Sequence, residues 1–393
     1  MPVASRRNQQ DERAALLPAE LVPLFDDRFV ASWDLIEEYI ARLALVVFRS
    51  TGLEGACRHE TSVEQAVAHA GLSPAVARAP AAWILAMLAS RGWIERTPGT
   101  PVRYRLQRTP PPLDPDEILA RQSAHDPSCL PCYALAALAA QHYPQVLRGE
   151  MTGEQALFGA DGISAWVRYF SNENPLYAIS NTVGALAADR ALSGDGAAIL
   201  ELGGGLGSGT DSLLARLRES GRASCVSQYR FTEISALFLK RAKRTLLARH
   251  PTAPLAFEAL DIDQPFIESD VLPGTFSLVY GVNVLHVARD LAATLGEIGR
   301  ALKPRGVLVI SECVRPFDTT PLHLEIVFNL LSSFRDPILV PGWRPTGGFL
   351  TPEQWTAALE ANGFVDVSIF PDIAAIRAAY PSFVVAAIVA ARA

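Results

Sequence analysis

Residues 198–211, with the sequence AILELGGGLGSGTD, decide the fold of this chain. A short apolar run ends in an acid, Glu201, and three glycines follow at alternate positions, Gly203, Gly205 and Gly207. A segment compatible with a helix then begins. This order predicts a strand, a tight glycine turn and a helix, which together form the first unit of a nucleotide-binding α/β sheet.

The spacing of the glycines bears on the ligand. A dinucleotide fingerprint is G-x-G-x-x-G and seats a pyrophosphate on the helix N-terminus, whereas the sixth position counted from Gly203 is Ser208. The spacing G-x-G-x-G behind an acid resembles the first motif of Rossmann-type methyltransferases that use S-adenosylmethionine (SAM). In that family the loop packs against a ligand without phosphates, and the acid faces its amino-acid portion. For the loop alone, another nucleotide enzyme and a purely structural turn are the alternatives.

Composition limits the class of protein. The 393 residues suggest two or three domains, and 49% hydrophobic against 19% charged residues can form buried cores. The net charge of −6 gives no general reason to expect nucleic acid or a membrane as partner. The N-terminus lacks the apolar stretch of a signal peptide, and the apolar run at 383–391 is too short to span a bilayer. Five scattered cysteines fit no disulfide framework, so we expect a cytoplasmic protein.

Four segments are predicted along the chain. Residues 1–28 form a flexible tail, 29–110 a winged-helix-like domain, 111–190 a helical linker or substrate lid, and 191–393 the SAM-binding domain. The would-be recognition helix, APAAWILAMLASRGW, is nearly all apolar, whereas a helix that reads DNA needs polar side chains. We therefore expect this domain to form a homodimer and not to bind nucleic acid.

From residue 197 onward, apolar runs alternate with helical stretches, which predicts a doubly wound, mostly parallel, seven-stranded Rossmann-like sheet. The last two runs lack a convincing helix between them, which suits an antiparallel seventh strand. The predicted strands are AILEL, QYRFTEI, LAFEALDI, FSLVYGVNVLH, GVLVISEC, FVDVSIFP and FVVAAIVAA.

Acids at the strand ends complete a predicted cofactor site. Glu233 ends the second strand, where a carboxylate can accept hydrogen bonds from both ribose hydroxyls. Asp261 ends the third and could take an adenine amino group, although a helix cap or a solvated turn is an equal alternative. The predicted SAM-binding residues are Glu201, Gly203, Gly205, Gly207, Glu233, Ile234, Asp261, Ile262 and Asn283.

His286 and Glu312 end the fourth and fifth strands, which are neighbours in a doubly wound sheet. We therefore expect them side by side at the ligand edge, as a base and the carboxylate that orients it. The alternative is a buried histidine satisfied by a nearby acid.

Residues from about 145 to the end resemble the C-methyltransferase domains of polyketide synthases and their freestanding relatives. NVLHVARDL followed by LVISE is the most specific part of the resemblance. That family methylates the α-carbon of β-ketoacyl thioesters with a His–Glu dyad, which makes His286 the general base and Glu312 its partner by position. The N-terminal module is more like that of small-molecule O-methyltransferases and of 2-oxo acid C-methyltransferases, some of which use a metal. His286, Glu312 and His323 show no recognisable ligand spacing, so we expect no metal.

These observations predict a SAM-dependent C-methyltransferase in specialised metabolism, acting on a small molecule or on an acyl chain bound to a carrier protein. The acceptor would be a carbon alpha to a carbonyl or a carbon of an electron-rich ring. The alternatives are an O-methyltransferase on a phenol or carboxylate, a metal-assisted 2-oxo acid C-methyltransferase, and a winged-helix regulator.

Overall fold

The computed structural model describes residues 13, 15–108 and 110–393. These residues form two compact units. One unit, here called the sheet unit, consists of the described residues up to Phe29 together with 170–316 and 337–393. The other, here called the helical unit, consists of 30–169 and 317–336. The long segment of the sheet unit begins at Phe170, about twenty residues before the predicted start of the SAM-binding domain at residue 191.

The helical unit is built from helices whose starts are marked in the sequence. Ser62 and Gln65 form a capping box, in which each side chain bonds the backbone N–H of the other residue, and Thr152 and Gln155 form a second one. Its helices are Asp27–Ser50, Leu53–Ala56, Val63–His69, Pro74–Ser90, Pro115–His125, Leu130–Arg148, Gly153–Phe158, Ala160–Tyr169, Glu325–Phe328 and Ser332–Arg335.

Two short strands follow the helix Pro74–Ser90. Strand β1 (Glu95–Thr97) pairs antiparallel with β2 (Arg103–Arg105), and Tyr104 also bridges to Thr61. The helix is largely buried, as its apolar sequence predicts. Two helices and a hairpin therefore occur in the predicted order, while the winged-helix and homodimer assignments stay predictions.

Residues 317–336 belong to the helical unit although they follow the fifth strand of the large sheet. Trp83 Nε1 donates a 2.9 Å hydrogen bond to the carbonyl of Leu322. Gly153 lies so close to Leu330 that an added Cβ would be 1.8 Å from its carbonyl oxygen. A residue with a side chain cannot occupy position 153 without moving this segment.

The sheet unit holds seven strands: β3 (Ala197–Leu202), β4 (Val226–Thr232), β5 (Leu255–Glu258), β6 (Phe276–Val282), β7 (Leu302–Cys313), β8 (Phe364–Phe370) and β9 (Val385–Arg392). Their order across the sheet is β5-β4-β3-β6-β7-β9-β8. Strands β3 to β7 run parallel, and β9 is antiparallel to both of its neighbours. The predicted α/β class, seven-strand count and antiparallel last strand are confirmed.

Helices cover the sheet between its strands. They are Pro175–Ala191, Ser208–Glu219, Ala236–Arg249, Leu291–Ala301, Pro352–Ala361 and Ile373–Ala379. The last of these lies between β8 and β9, where no helix was expected; it begins at an Asp372 cap and has only seven residues, too few for a clear period. The helix Pro175–Ala191 contacts β7 and β9, and Ser311 Oγ donates a 2.7 Å hydrogen bond to its Ser180 carbonyl.

The described part of the predicted tail is packed in the sheet unit. Leu21 and Phe25 are buried, and the Phe25 ring lies 4.9 Å from that of Phe383 between centroids. Residues 1–12 and residue 14 of that prediction lie outside the described residues.

Among the residues described, no single helix is long and apolar enough to cross a membrane. The helices Val63–His69 and Pro74–Ser90 pass that test only when taken together as a bent pair.

Candidate active site

The predicted site residues gather at one edge of the sheet unit, where β3, β4, β6 and β7 end. Parallel strands with helical crossovers place their carboxyl ends together, so residues far apart in the sequence become neighbours. Glu201 and Glu312 lie in the last residues of their strands, and the other site residues lie in the turns that follow the strands.

The glycine loop crosses from β3 to the helix Ser208–Glu219. Gly203 has a φ of +55°, and a Cβ there would lie 2.4 Å from Val284 Cγ2. At Gly204 an added Cβ would lie 2.2 Å from Phe231 Cε2. The loop therefore needs glycine for its conformation at one position and for close approach at the next. At Gly205 nothing lies within 4 Å of an added Cβ, so the loop has an open side there.

Glu201 lies beneath this loop and is fully buried. Its Oε2 accepts hydrogen bonds from the Tyr229 hydroxyl, at 2.7 Å, and from the Thr210 hydroxyl. Burial raises the pKa of Glu201 to about 7, although both hydroxyls act to lower it. These contacts give the acid a supporting role, and its predicted contact with the cofactor stays a prediction.

Glu233 joins the glycine loop to the next helix. Its Oε2 accepts from the backbone N–H of Gly205 at 2.9 Å, and its Oε1 accepts from that of Ser235 at 2.8 Å. Burial raises the pKa of this carboxyl, against the lowering effect of the N–H donors. The two bonds fix the carboxylate at the tip of β4, and each oxygen retains a lone pair for a ligand.

Neighbours of these acids were predicted to touch the cofactor as well. Ile234 is 64% exposed beside Glu233. Asp261 and Ile262 are half-buried, and Asp261 Oδ1 accepts from the backbone N–H of Asp263 at 3.0 Å. This local turn corresponds to the turn alternative for Asp261 and not to the helix cap, since the next helical turn begins at Phe266. Its adenine contact stays a prediction.

Asn283 sits just after β6 with a φ of +50°, in the left-handed region that Asn tolerates better than most residues. Its Oδ1 accepts from the backbone N–H of Cys313 at 3.2 Å, and its own N–H donates to the Ser311 carbonyl at 2.7 Å. Asn283 thus ties the end of β6 to β7. A contact with the cofactor is still a prediction.

His286 and Glu312 are in contact. Nδ1 of His286 lies 2.7 Å from Glu312 Oε2, and both residues are buried. Glu312 Oε1 accepts from the backbone N–H groups of Val284, at 3.0 Å, and Leu285, at 2.8 Å. One carboxylate therefore holds both the imidazole and the turn Leu285–Val287 that carries it.

Two residues of the site were missed from the sequence. The Phe349 ring packs on the His286 ring with centroids 4.5 Å apart. The buried guanidinium of Arg344 donates to the carbonyls of His286, at 2.9 Å, and Ala288, at 2.7 Å. Burial lowers the pKa of Arg344 to about 10. Both residues belong to the loop before Pro352–Ala361, and no spacing in the sequence links them to the dyad.

The sequence offers His286, Glu312 and His323 as possible metal ligands. Within the described residues, no group of three or more His, Cys, Asp or Glu side chains is arranged to hold a metal ion. His323 belongs to the helical unit, where its ring packs edge-on against Trp33, 5.4 Å away between centroids.

Comparison with known proteins identifies the class. Residues 200–308 match the family described as a methyltransferase domain. Highly reducing polyketide synthase 2 of Gibberella zeae is 27% identical over 284 residues, which are 70% of this chain and 10% of that protein. The chain spans a tenth or less of the length of the curated relatives it matches.

Solved structures share the fold. The CurJ carbon methyltransferase aligns over 99% of this chain and 98% of that one, with a TM-score of 0.73 and 21% identity. The trans-methyltransferase CalH, in complex with SAH, aligns over 93% of this chain and 92% of that one, with a TM-score of 0.62 and 20% identity.

The glycine loop and the sheet agree with the family match, so residues 200–308 form a methyltransferase domain of the class I type that uses SAM, and the solved structures share its fold. More particularly, it is similar to the carbon methyltransferases of polyketide synthases.

The residues at the loop fit this cofactor. The Glu233 carboxylate lies against the loop, where its oxygens can accept hydrogen bonds from hydroxyl groups of the cofactor. Glu233 would hold the ribose hydroxyls, and the open side of the loop at Gly205 would admit the ligand.

Proposed function

We propose that this protein is a C-methyltransferase that acts on an activated carbon of a small molecule or of a carrier-bound acyl intermediate in specialised metabolism. The contact between His286 and Glu312 carries the proposal, because a carbon acceptor next to a carbonyl must lose a proton before it can be methylated. The names of the curated relatives, which are polyketide synthases, and the carbon methyltransferase among the similar structures support a carbon acceptor.

SAM, when bound, supplies an electrophilic methyl group on a sulfonium sulfur. The protein's own task is then to align the acceptor and make it nucleophilic. A carboxylate can only accept, so Glu312 Oε2 holds the hydrogen of His286 on Nδ1 and leaves the lone pair on Nε2. Nε2 takes a proton from the acceptor carbon, and the electron pair of the broken C–H bond stays on that carbon. The carbon would then accept the methyl group as the methyl–sulfur bond breaks and leaves its electron pair on the sulfur.

The surroundings of the dyad favour this proton transfer. Glu312 stabilises the imidazolium that forms, since a charge pair is strong where water is excluded. The two backbone N–H donors keep the carboxylate from turning away. Arg344 accepts no bond itself but donates to the carbonyls of His286 and Ala288, so the backbone is held on both the N-terminal and the C-terminal side of the imidazole.

The test uses His286→Ala with acetoacetyl N-acetylcysteamine thioester as acceptor. Turnover should fall by about 10²–10⁴-fold, the usual contribution of a positioned base. SAM affinity, measured by calorimetry, should stay close to wild type. The protein-dependent acceleration of α-hydrogen exchange in D₂O, measured by NMR without SAM and relative to the acceptor alone, should be lost as well. His59→Ala changes an exposed histidine of the helical unit and is the control. Undiminished turnover in His286→Ala would remove the dyad from the mechanism.

NMR of the product separates the alternatives. A new methyl group on carbon supports the proposal, whereas an ester or ether methyl would make the protein an O-methyltransferase. Salt-sensitive DNA binding without any methyl transfer would favour the regulator.

A further inference from the structure

One exposed face of the helix Ala236–Arg249 combines cations with exposed leucines. Its side chains recur at helical spacing, three and four residues apart, and therefore form one line. The two leucines at the ends are 44% and 41% exposed. We call this set the basic stripe; it consists of Leu237, Lys240, Lys243, Arg244 and Leu247.

The opposite face of the same helix explains how it is held. Phe238, Ala242 and Leu246 are buried, and the last two pack with Phe231 of β4. The helix is thus seated by its inner face, and within the basic stripe Lys243 also lies over the Phe257 ring, with Nζ 5.9 Å from the ring centroid.

The charge of the stripe is not balanced within the protein. The chain carries a net charge of −6, yet the sequence ALFLKRAKRTLLAR of this helix contains no acid. Two of the three lysines in the chain lie in the stripe; the third is Lys303. None of the three cations of the stripe forms an ion pair with a described residue. Solvation alone does not explain why three cations cluster between two exposed leucines on the surface of an acidic protein.

The stripe also begins next to the active site. The helix starts just after Glu233, at the carboxyl end of β4. His286 follows β6, which lies two strands away across β3, roughly 10 Å along the same edge. A partner seated on the stripe would therefore present a flexible arm toward the edge that holds the dyad.

We propose that the basic stripe docks an acidic carrier protein that presents the acyl acceptor on a phosphopantetheine arm. The inference rests on the proposed function and names the form of its substrate. Complementary charge steers association and sets the encounter rate, while the two leucines offer apolar contacts beside the cations. RNA is the other polyanion to consider, but three cations on a few turns of helix are a short footprint for a nucleic-acid backbone.

The first experiment compares two forms of one acceptor. An acetoacetyl group is presented on an acidic acyl carrier protein or on N-acetylcysteamine. In K240E/K243E/R244E, kcat/KM for the carrier-bound acceptor should fall at least about tenfold, mostly because KM rises. Rising salt should lower the wild-type kcat/KM for the same acceptor, again through KM. The value for the N-acetylcysteamine thioester should not change.

The control is R58E/R105E/R108E, which makes the same change of charge at exposed arginines of the helical unit. Equal effects of the two triple variants, or a fall for both acceptors in K240E/K243E/R244E, would overturn the docking site. Methylation of neither acceptor by the wild type would instead refute the proposed function.

The second experiment uses the scarcity of lysine. A carbodiimide joins amines directly to carboxylates, and peptide mapping should find the carrier protein attached to Lys240 or Lys243. Lys303 is the internal control, since its Nζ lies 3.4 Å from Ser277 Oγ and it is half-buried. Attachment of the carrier protein at Lys303 alone would overturn the proposal. RNA binding that depends on the basic stripe would also overturn it, if methylation of the carrier-bound acceptor does not depend on the stripe.

Discussion

Glu312→Gln should stop catalysis while leaving the fold in place. The amide is the same size as the carboxylate, and its oxygen can still accept from the N–H groups of Val284 and Leu285. Its NH₂ group then faces His286 Nδ1 at the position where Oε2 lies 2.7 Å away. Because an NH₂ group only donates, Nδ1 must become an acceptor, and the ring hydrogen moves to Nε2. The nitrogen that should take the proton is then already protonated.

The size of the effect follows from these contacts. Turnover should fall by about 10²–10⁴-fold, as for a base held in the wrong tautomer. Stability should change little in Glu312→Gln, since the hydrogen bonds keep their number. Glu312→Ala is the contrast: it leaves two buried N–H groups without acceptors, at about 1–3 kcal/mol each, so its free energy of unfolding should fall by roughly 2–6 kcal/mol.

The assays are turnover of acetoacetyl N-acetylcysteamine thioester, SAM affinity by calorimetry and urea unfolding. Glu312→Gln should lose turnover while keeping SAM affinity and stability; Glu312→Ala should lose turnover and stability together. Wild-type turnover in a folded Glu312→Gln protein would refute the tautomer argument. Equal destabilisation of both variants would show that the amide cannot replace the carboxylate as acceptor for the turn.

Three further changes test other parts of the site. Gly204→Ala should lower the free energy of unfolding by about 1–3 kcal/mol and weaken SAM binding, because its Cβ would meet Phe231 at 2.2 Å. The control is Gly299→Ala, where the nearest atom to the added Cβ is 4.0 Å away. Equal melting temperatures of the two variants would contradict the clash. Burial holds the folded-state pKa of Glu201 at about 7, above its ordinary 4.5, so its stabilising contribution is complete below pH 4.5 and is lost as the pH rises to 7. Glu201→Gln should therefore reduce the loss of stability between pH 4.5 and 7 by up to roughly 3 kcal/mol in urea titrations, and an unchanged pH dependence would argue against this burial effect. Arg344→Ala removes the donor to the carbonyls of His286 and Ala288, so kcat should fall about 10–100-fold at unchanged SAM affinity. Arg344→Lys should recover part of this loss. A lower melting temperature at full kcat would mean that Arg344 serves only the fold.

The sequence by itself was sufficient where the information is local or repeats along the chain. The glycine turn after Glu201 and the alternation of strands and helices predicted the sheet, because periodicity and turn residues act over a few positions. The contact of His286 with Glu312 could be predicted as well. It follows from two strand ends in a sheet whose topology is nearly fixed once parallel crossovers are recognised.

Tertiary structure decided what depends on distant parts of the chain. Arg344 reaches the dyad from a loop with no periodic signal, and residues 317–336 leave the sheet unit to join the helical unit. Glu201 shows the same limit within one motif, since only the packing of Tyr229 and Thr210 reveals that this acid is buried under the loop. Whether a polar group faces a ligand or a buried partner depends on which distant side chains exclude water from it, and that is a property of the folded packing.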